Sequence, residues 1–163
     1  MDKALYSFPP VSDQNSRILI LGSMPGEESL RKRQYYAHPR NQFWPILSRL
    51  LGFSEESDYR ERLAALLRNR IALWDVIESC NRQGSLDSAI QNIQVNDFRK
   101  FFFRHPMIKT VYFNGRKAFM TFKKVQGIDV SRFECRILPS TSPAYTMLFN
   151  EKLTAWKQIL GSL

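Results

Sequence analysis

Cysteine is scarce: Cys80 and Cys135 are the only two and lie far apart. Two such residues build neither a disulfide framework nor a Cys-rich zinc site, and they read as reduced thiols of an intracellular protein. Histidine is as rare, and the distance from His38 to His105 does not suggest a metal pair. No metal and no cofactor are expected. No run approaches the ~18 apolar residues of a membrane span, and the N-terminus has no charged-then-apolar export pattern. Cytoplasmic residence without a membrane role is the expectation. The glycine-rich stretch Gly22-Ser23-Met24-Pro25-Gly26 is not followed by Gly-Lys-Ser/Thr, which excludes a P-loop, and its glycines lack dinucleotide spacing. Ser23, Ser140 and Ser142 have no Ser-His-Asp partnership, so serine-based acyl transfer is unsupported. Repeats, low-complexity tracts and linkers are missing, and 163 residues make one domain, 1–163, around one core.

Acidic residues are few as well: 15 against 24 basic ones, a formal charge of +9. The basic residues come in small groups, Arg31-Lys32-Arg33, Arg99-Lys100, Arg116-Lys117 and Lys123-Lys124. Any one pair suits a solvated helix face. Their sum is the electrostatic footprint of a nucleic-acid binder. No segment joins a basic face to the long apolar face that a membrane-surface helix needs.

The run Ile18-Leu19-Ile20-Leu21 feeds straight into the Gly22–Gly26 loop and reads as a buried parallel strand. Further strands are expected at 71–74, 110–113 and 135–138. Helices are expected at 43–51, with Pro45 in the first turn and Gly52 as the stop, and at 58–69, 96–104, 116–125 and 151–160. Residues 1–16 read as an extended lead-in and 78–88 as a polar loop. Strands alternating with helices give an α/β fold with a parallel sheet covered on both faces. The polar clusters 22–26, 75–85, 114–115 and 139–144 each follow a strand end. Ligands in open sheets bind outside those ends, so the clusters converge on one edge. Asn41 either caps the helix beginning near Phe43 or orients a water or a base. Asn114 can pair with a base edge in the same way. Tyr35, Tyr36, Phe43 and Trp44 are either core residues or a platform for a stacked base.

Four blocks then resemble a known family. They are Gly22-Ser23-Met24-Pro25-Gly26, Tyr35-Tyr36-Ala37-His38-Pro39-Arg40-Asn41-Gln42-Phe43-Trp44, Phe113-Asn114-Gly115 and Ser140-Thr141-Ser142-Pro143-Ala144. Their succession resembles the uracil-DNA glycosylase superfamily, and within it the hypoxanthine-DNA (deoxyinosine) glycosylases, over roughly residues 16–160. The resemblance implies a three-layer α/β/α sandwich with a central four-stranded parallel sheet. It also implies hydrolysis of the N-glycosidic bond of a damaged deoxynucleotide flipped out of DNA. By motif, Gly22, Ser23, Met24, Pro25 and Gly26 would line the base pocket and Tyr36 would stack on the base. Asn114 would read the base edge, and Ser140, Thr141, Ser142, Pro143 and Ala144 would grip the DNA backbone. Met24 stands where many relatives have a water-activating Asp or Asn, and Ser140 where several have a His. The hypoxanthine branch shares both departures, and its important Asn matches Asn41, the expected catalytic residue. No lysine matches a Schiff-base position, so base release without strand cleavage is implied, by a monomer acting on damaged DNA. The string His38–Trp44 is also similar to the mismatch-specific branch, whose chemistry Met24 disfavours. A uracil or mismatch glycosylase and a non-catalytic DNA-binding relative stand as alternatives.

Overall fold

The computed structural model describes residues 3–163. In chain order the strands are β1 (Leu5–Tyr6), β2 (Ile18–Gly22), β3 (Ile71–Asp75), β4 (Ile77–Asn81), β5 (Gln91–Val95), β6 (Thr110–Asn114) and β7 (Glu134–Leu138). The α-helices are α1 (Glu27–Lys32), α2 (Phe43–Leu51), α3 (Tyr59–Arg68), α4 (Phe98–Arg104), α5 (Arg116–Phe122) and α6 (Phe149–Trp156).

The main sheet has the order β3-β2-β6-β7 and is parallel throughout. Every residue of β2, β3 and β6 is buried, as their unbroken apolar runs require. The edge strand β7 exposes Glu134 and Arg136, charges that discourage further strand pairing. Side chains alternate between the two faces. Ile18, Ile20, Leu73 and Tyr112 pack with α2, α3 and α6 residues such as Phe43, Leu66 and Trp156. Leu19, Leu21, Val111 and Phe113 pack on the other face with Phe98, Phe101, Ala118 and Phe122 of α4 and α5. This is the expected α/β/α sandwich around a four-stranded parallel sheet.

Helix α2 runs over the expected residues. Pro45 falls in its first turn, where the missing N–H costs nothing, and Gly52 ends it at φ 77°. Asp58 starts α3 by accepting the Glu61 N–H, 2.8 Å.

The differences lie at the periphery. The lead-in holds β1, and the expected loop 78–88 holds most of β4. Together with β5 these form a second, antiparallel sheet ordered β1-β4-β5. Its strands Ile77-Glu78-Ser79-Cys80-Asn81 and Gln91-Asn92-Ile93-Gln94-Val95 are polar and half exposed, and their register shifts between β4 and β5. Neither has an apolar run to reveal it. The helix expected from Asn96 starts at Phe98, because the Asn96 N–H is bonded to Val76 C=O and its amide to Asp75 C=O. The helix expected to reach Val125 ends at Phe122. The last helix starts at Phe149, turns 3-10 at Lys157 and continues so to Ser162. The six-residue α1 gave no usable periodicity. Among the described residues no helix is long and apolar enough to cross a membrane.

Candidate active site

The ends of β2, β3 and β6 open onto one cavity of about 860 Å³. Every residue to which the resemblance assigns a role lines it: Gly22, Ser23, Met24, Pro25, Gly26, Tyr36, Asn41, Asn114, Ser140, Thr141, Ser142, Pro143 and Ala144; Phe43 and Trp44, also stacking candidates, are core residues.

The Gly22–Gly26 loop is held in place by the chain that leaves β3. The Val76 N–H bonds to Gly22 C=O and the Ile77 N–H to Ser23 C=O, which extends the β2–β3 pairing by two rungs. Arg82, just past the end of β4, donates to Pro25 C=O and Gly84 C=O. The Ser23 hydroxyl donates to Asp87 Oδ1 at 2.6 Å. Met24 is turned into a small apolar cluster with Ile77, Cys80 and Ile90, where its flexible thioether anchors the loop.

The segment 33–42 is fixed from several sides. Tyr35 accepts the Trp44 indole N–H at its carbonyl, and its hydroxyl donates to Pro9 C=O. Tyr36 has φ 54°, a left-handed conformation that costs an L-residue about 1–2 kcal/mol. Its ring is stacked on Phe43 at 4.0 Å and 21°. One ring face is therefore occupied by Phe43, while Tyr36 still borders the cavity. Its hydroxyl is buried beside the Asn114 amide; burial, then Asp75, raise its pKa far above the ordinary value, and Asn114 opposes the rise. His38 Nδ1 accepts the Arg40 N–H, which leaves Nε2 as the protonated nitrogen of the neutral ring.

Asn41 is not the N-cap of α2, which is Gln42; its side chain closes a turn onto the first N–H of the helix and keeps something in reserve. Its Oδ1 accepts the Phe43 N–H at 3.0 Å. An N–H can only donate, so the oxygen is fixed there and the Nδ2 donors are left for the cavity. Asn114 is committed more fully. Its Oδ1 accepts the Thr141 N–H and its Nδ2 donates to Thr141 Oγ1, each at 2.9 Å. Thr141 C=O in turn accepts the Gln42 N–H. This latch joins the end of β6, the 140–144 loop and the start of α2. The loop is further braced by Trp156, whose indole donates to Pro139 C=O, and by the buried Lys152, whose ammonium donates to Ser142 C=O. Burial lowers the Lys152 pKa.

The sequence reading passed over Asp75. It ends β3 level with Gly22 and is 3% exposed. Burial pushes its carboxyl up to about 7; Asp87 adds to the rise and Arg82 opposes it. Its Oδ2 is buried with no partner. The available signal was an acid closing the run Ile71-Ala72-Leu73-Trp74. A carboxyl there must project at a strand end, where ligands bind.

A strand-end cavity holding this loop, a stacked tyrosine and two asparagines has a family counterpart. The family model for the uracil DNA glycosylase superfamily matches residues 9–160. The chain belongs to the uracil-DNA glycosylase superfamily. It is 40% identical over 154 residues to a hypoxanthine DNA glycosylase of Methanosarcina barkeri, covering 93% of this chain and 94% of that one. It is 38% identical over 153 residues to a hypoxanthine DNA glycosylase of Methanosarcina acetivorans, covering 93% and 95%. A Methanosarcina acetivorans protein solved by solution NMR superposes with a TM-score of 0.83 at 37% identity, over 96% of each chain. A DNA glycosylase must take its target base out of the stack and into a pocket. The cavity at the strand ends has the location and the size range for that.

Proposed function

We propose that this DNA glycosylase hydrolyses the N-glycosidic bond of deoxyinosine, releasing hypoxanthine and leaving an abasic site that starts base excision repair. The observation that carries the reading is the pairing of Met24 with Asn41. A thioether packed into an apolar cluster cannot activate water. Asn41 faces the cavity with free amide donors and has its oxygen pinned by Phe43. Both relatives described above are named for hypoxanthine.

In this reading the flipped purine enters past the 140–144 loop and lies against Tyr36. Asn41 is the catalytic residue and holds the attacking water or stabilises the transition state, without acting as a strong base. Gly22, Ser23, Met24, Pro25 and Gly26 wall the base, and Asn114 contributes its remaining N–H from within the Thr141 latch. Ser140, Thr141, Ser142, Pro143 and Ala144 hold the DNA strand, and exposed Arg40 adds charge at the mouth. The enzyme acts as a monomer in the cytoplasm, without metal or cofactor and without cleaving the strand.

The test is base release from matched oligonucleotides carrying one deoxyinosine, one deoxyuridine or a G:T mismatch, with Asn41→Ala beside the parent. Asn41-dependent release that is strongest at deoxyinosine supports the proposal. Release at uracil alone refutes the substrate, and undiminished release by Asn41→Ala refutes the role of Asn41.

A further inference from the structure

Asp75 is the least accounted-for polar group in the cavity. Its carboxyl lies on the floor, at the end of β3, with Oδ2 buried and unpartnered. A Cβ built on Gly22 would stand 2.5 Å from Asp75 Oδ1 and 2.8 Å from Tyr36 Oη. Both oxygens therefore converge on one spot above Gly22, and the missing side chain is what makes room for them. Tyr36 Oη is the tip of the aromatic ring. A base placed along that ring with its sugar toward the loops that carry Asn41 and Ser142 would have its far edge at Asp75. Asp75 thus meets the base edge and not the sugar carbon.

We propose that Asp75 is a base-contacting catalytic residue whose carboxyl O–H donates to the lactam oxygen of the flipped hypoxanthine and stabilises the purine as it departs. The inference rests on the deoxyinosine reading above. In the reaction the C1′–N9 bond breaks and its electron pair goes to the purine. A water oxygen bonds to C1′. One water proton is lost to solvent and one proton is taken up by the purine, giving neutral hypoxanthine and an abasic sugar. The charge that develops is shared between the ring nitrogens and the lactam oxygen. A fixed donor at that oxygen strengthens as the charge grows. A neutral carboxyl supplies such a donor, whereas a carboxylate would repel the same charge.

The surroundings favour the neutral form. Asp87 and Arg82 are the charged groups that act on Asp75, with opposite signs. Tyr35, Tyr36 and Tyr59, which sense the Asp75 charge, have raised pKa values and stay neutral through the working range. Glu27, Glu28, His38 and Arg40 line the same cavity.

The experiment measures single-turnover release from a deoxyinosine oligonucleotide between about pH 5.5 and 9 for the parent, Asp75→Asn and Asp75→Ala. The parent rate should fall about tenfold per pH unit above roughly 7. Asp75→Asn keeps a donor at every pH, so its profile should be flat and it should overtake the parent at high pH. Asp75→Ala should be slow throughout. A substrate carrying unsubstituted purine, which lacks the lactam oxygen, makes the same cut without any variant: its release by the parent should fall less steeply across pH 7, because no donor bond is lost and only the repulsion of the ring charge remains. The inference is overturned if Asp75→Asn keeps the parent's alkaline limb, if it is as slow as Asp75→Ala at every pH, or if the purine substrate shows that limb undiminished. Hypoxanthine release that fails these tests refutes this role alone, whereas no release at any pH refutes the deoxyinosine reading and this role together.

Discussion

Replacing Asn114 by Ala separates two jobs that one amide could hold. The side chain makes two buried bonds to Thr141, one from its N–H and one to its Oγ1, each 2.9 Å long. Thr141 is fully buried, so its N–H would lose its only partner. An orphaned buried donor costs about 1–3 kcal/mol, and the second bond adds about 0.5–1.5 kcal/mol. Asn114 borders the cavity, and water entering the vacated space recovers part of this. The expected loss is about 2 kcal/mol, a fall of roughly 4–8 °C in Tm for a chain of this size. Urea denaturation of the parent, Asn114→Ala, Thr141→Val and the double variant should give a coupling energy near 1 kcal/mol. Base release should fall in Asn114→Ala because the 140–144 loop loses its tie to β6. An unchanged urea midpoint with abolished release would refute the latch and leave Asn114 as a base reader alone.

Four shorter predictions follow. Asn41→Ala should lower base release by orders of magnitude while costing only about 1 kcal/mol, the loss of one hydrogen bond at Phe43, as a melt would show. Gly22→Ala should raise KM for the DNA substrate at least tenfold, because its methyl enters the space of Asp75 and Tyr36; unaltered steady-state kinetics would contradict that geometry. Asp75 has a folded-state pKa raised from 3.8 to about 7, so it binds its proton more tightly folded than unfolded. Its favourable contribution is complete below pH ~4 and is lost as pH rises through 7. Asp75→Asn should therefore be the more stable protein at pH 8, by up to about 4 kcal/mol, with no gain at pH 4; equal pH–stability curves would sink the argument. Finally, Arg40→Ala should weaken binding to undamaged duplex and reduce the slope of log K against log salt by about 1, checked by anisotropy titration.

Apolar runs and strand ends made most of this molecule legible. Ile18–Leu21, Ile71–Trp74 and Thr110–Phe113 are continuous enough to fix three strands of the main sheet, and the polar residues just beyond them had to meet at one edge. The small sheet was not legible. Its strands earn their place by backbone pairing and by covering Met24, and their side chains carry no periodic signal. Asp75 was hidden for another reason. Its chemistry depends on burial and on Gly22 beside it, and a sequence does not display a neighbour from another strand. A bond from Asn41 to the start of α2 was visible, but that Gln42 is the cap residue and which Asn41 atom remained for the cavity were not.

The ribbon formed by β4 and β5 has an evolutionary consequence. It adds no strand to the central sheet, yet its connecting segment supplies Ser85, Leu86, Asp87 and Ser88 to the cavity wall. It is attached by the backbone rungs at Val76 and Ile77, the Asn96 clamp, the cluster around Met24, the Arg82 bond to Pro25 C=O and the bonds of Ser85 and Asp87 to Glu27 and Ser23. Backbone rungs tolerate almost any side chain. Mutation at Leu86 and Ser88, whose side chains tie nothing down, can therefore redraw part of this wall while the sheet, the two cores and Asn41 stay as they are. The architecture separates the part of the enzyme that must be inherited intact from the part on which selection for new lesions can act.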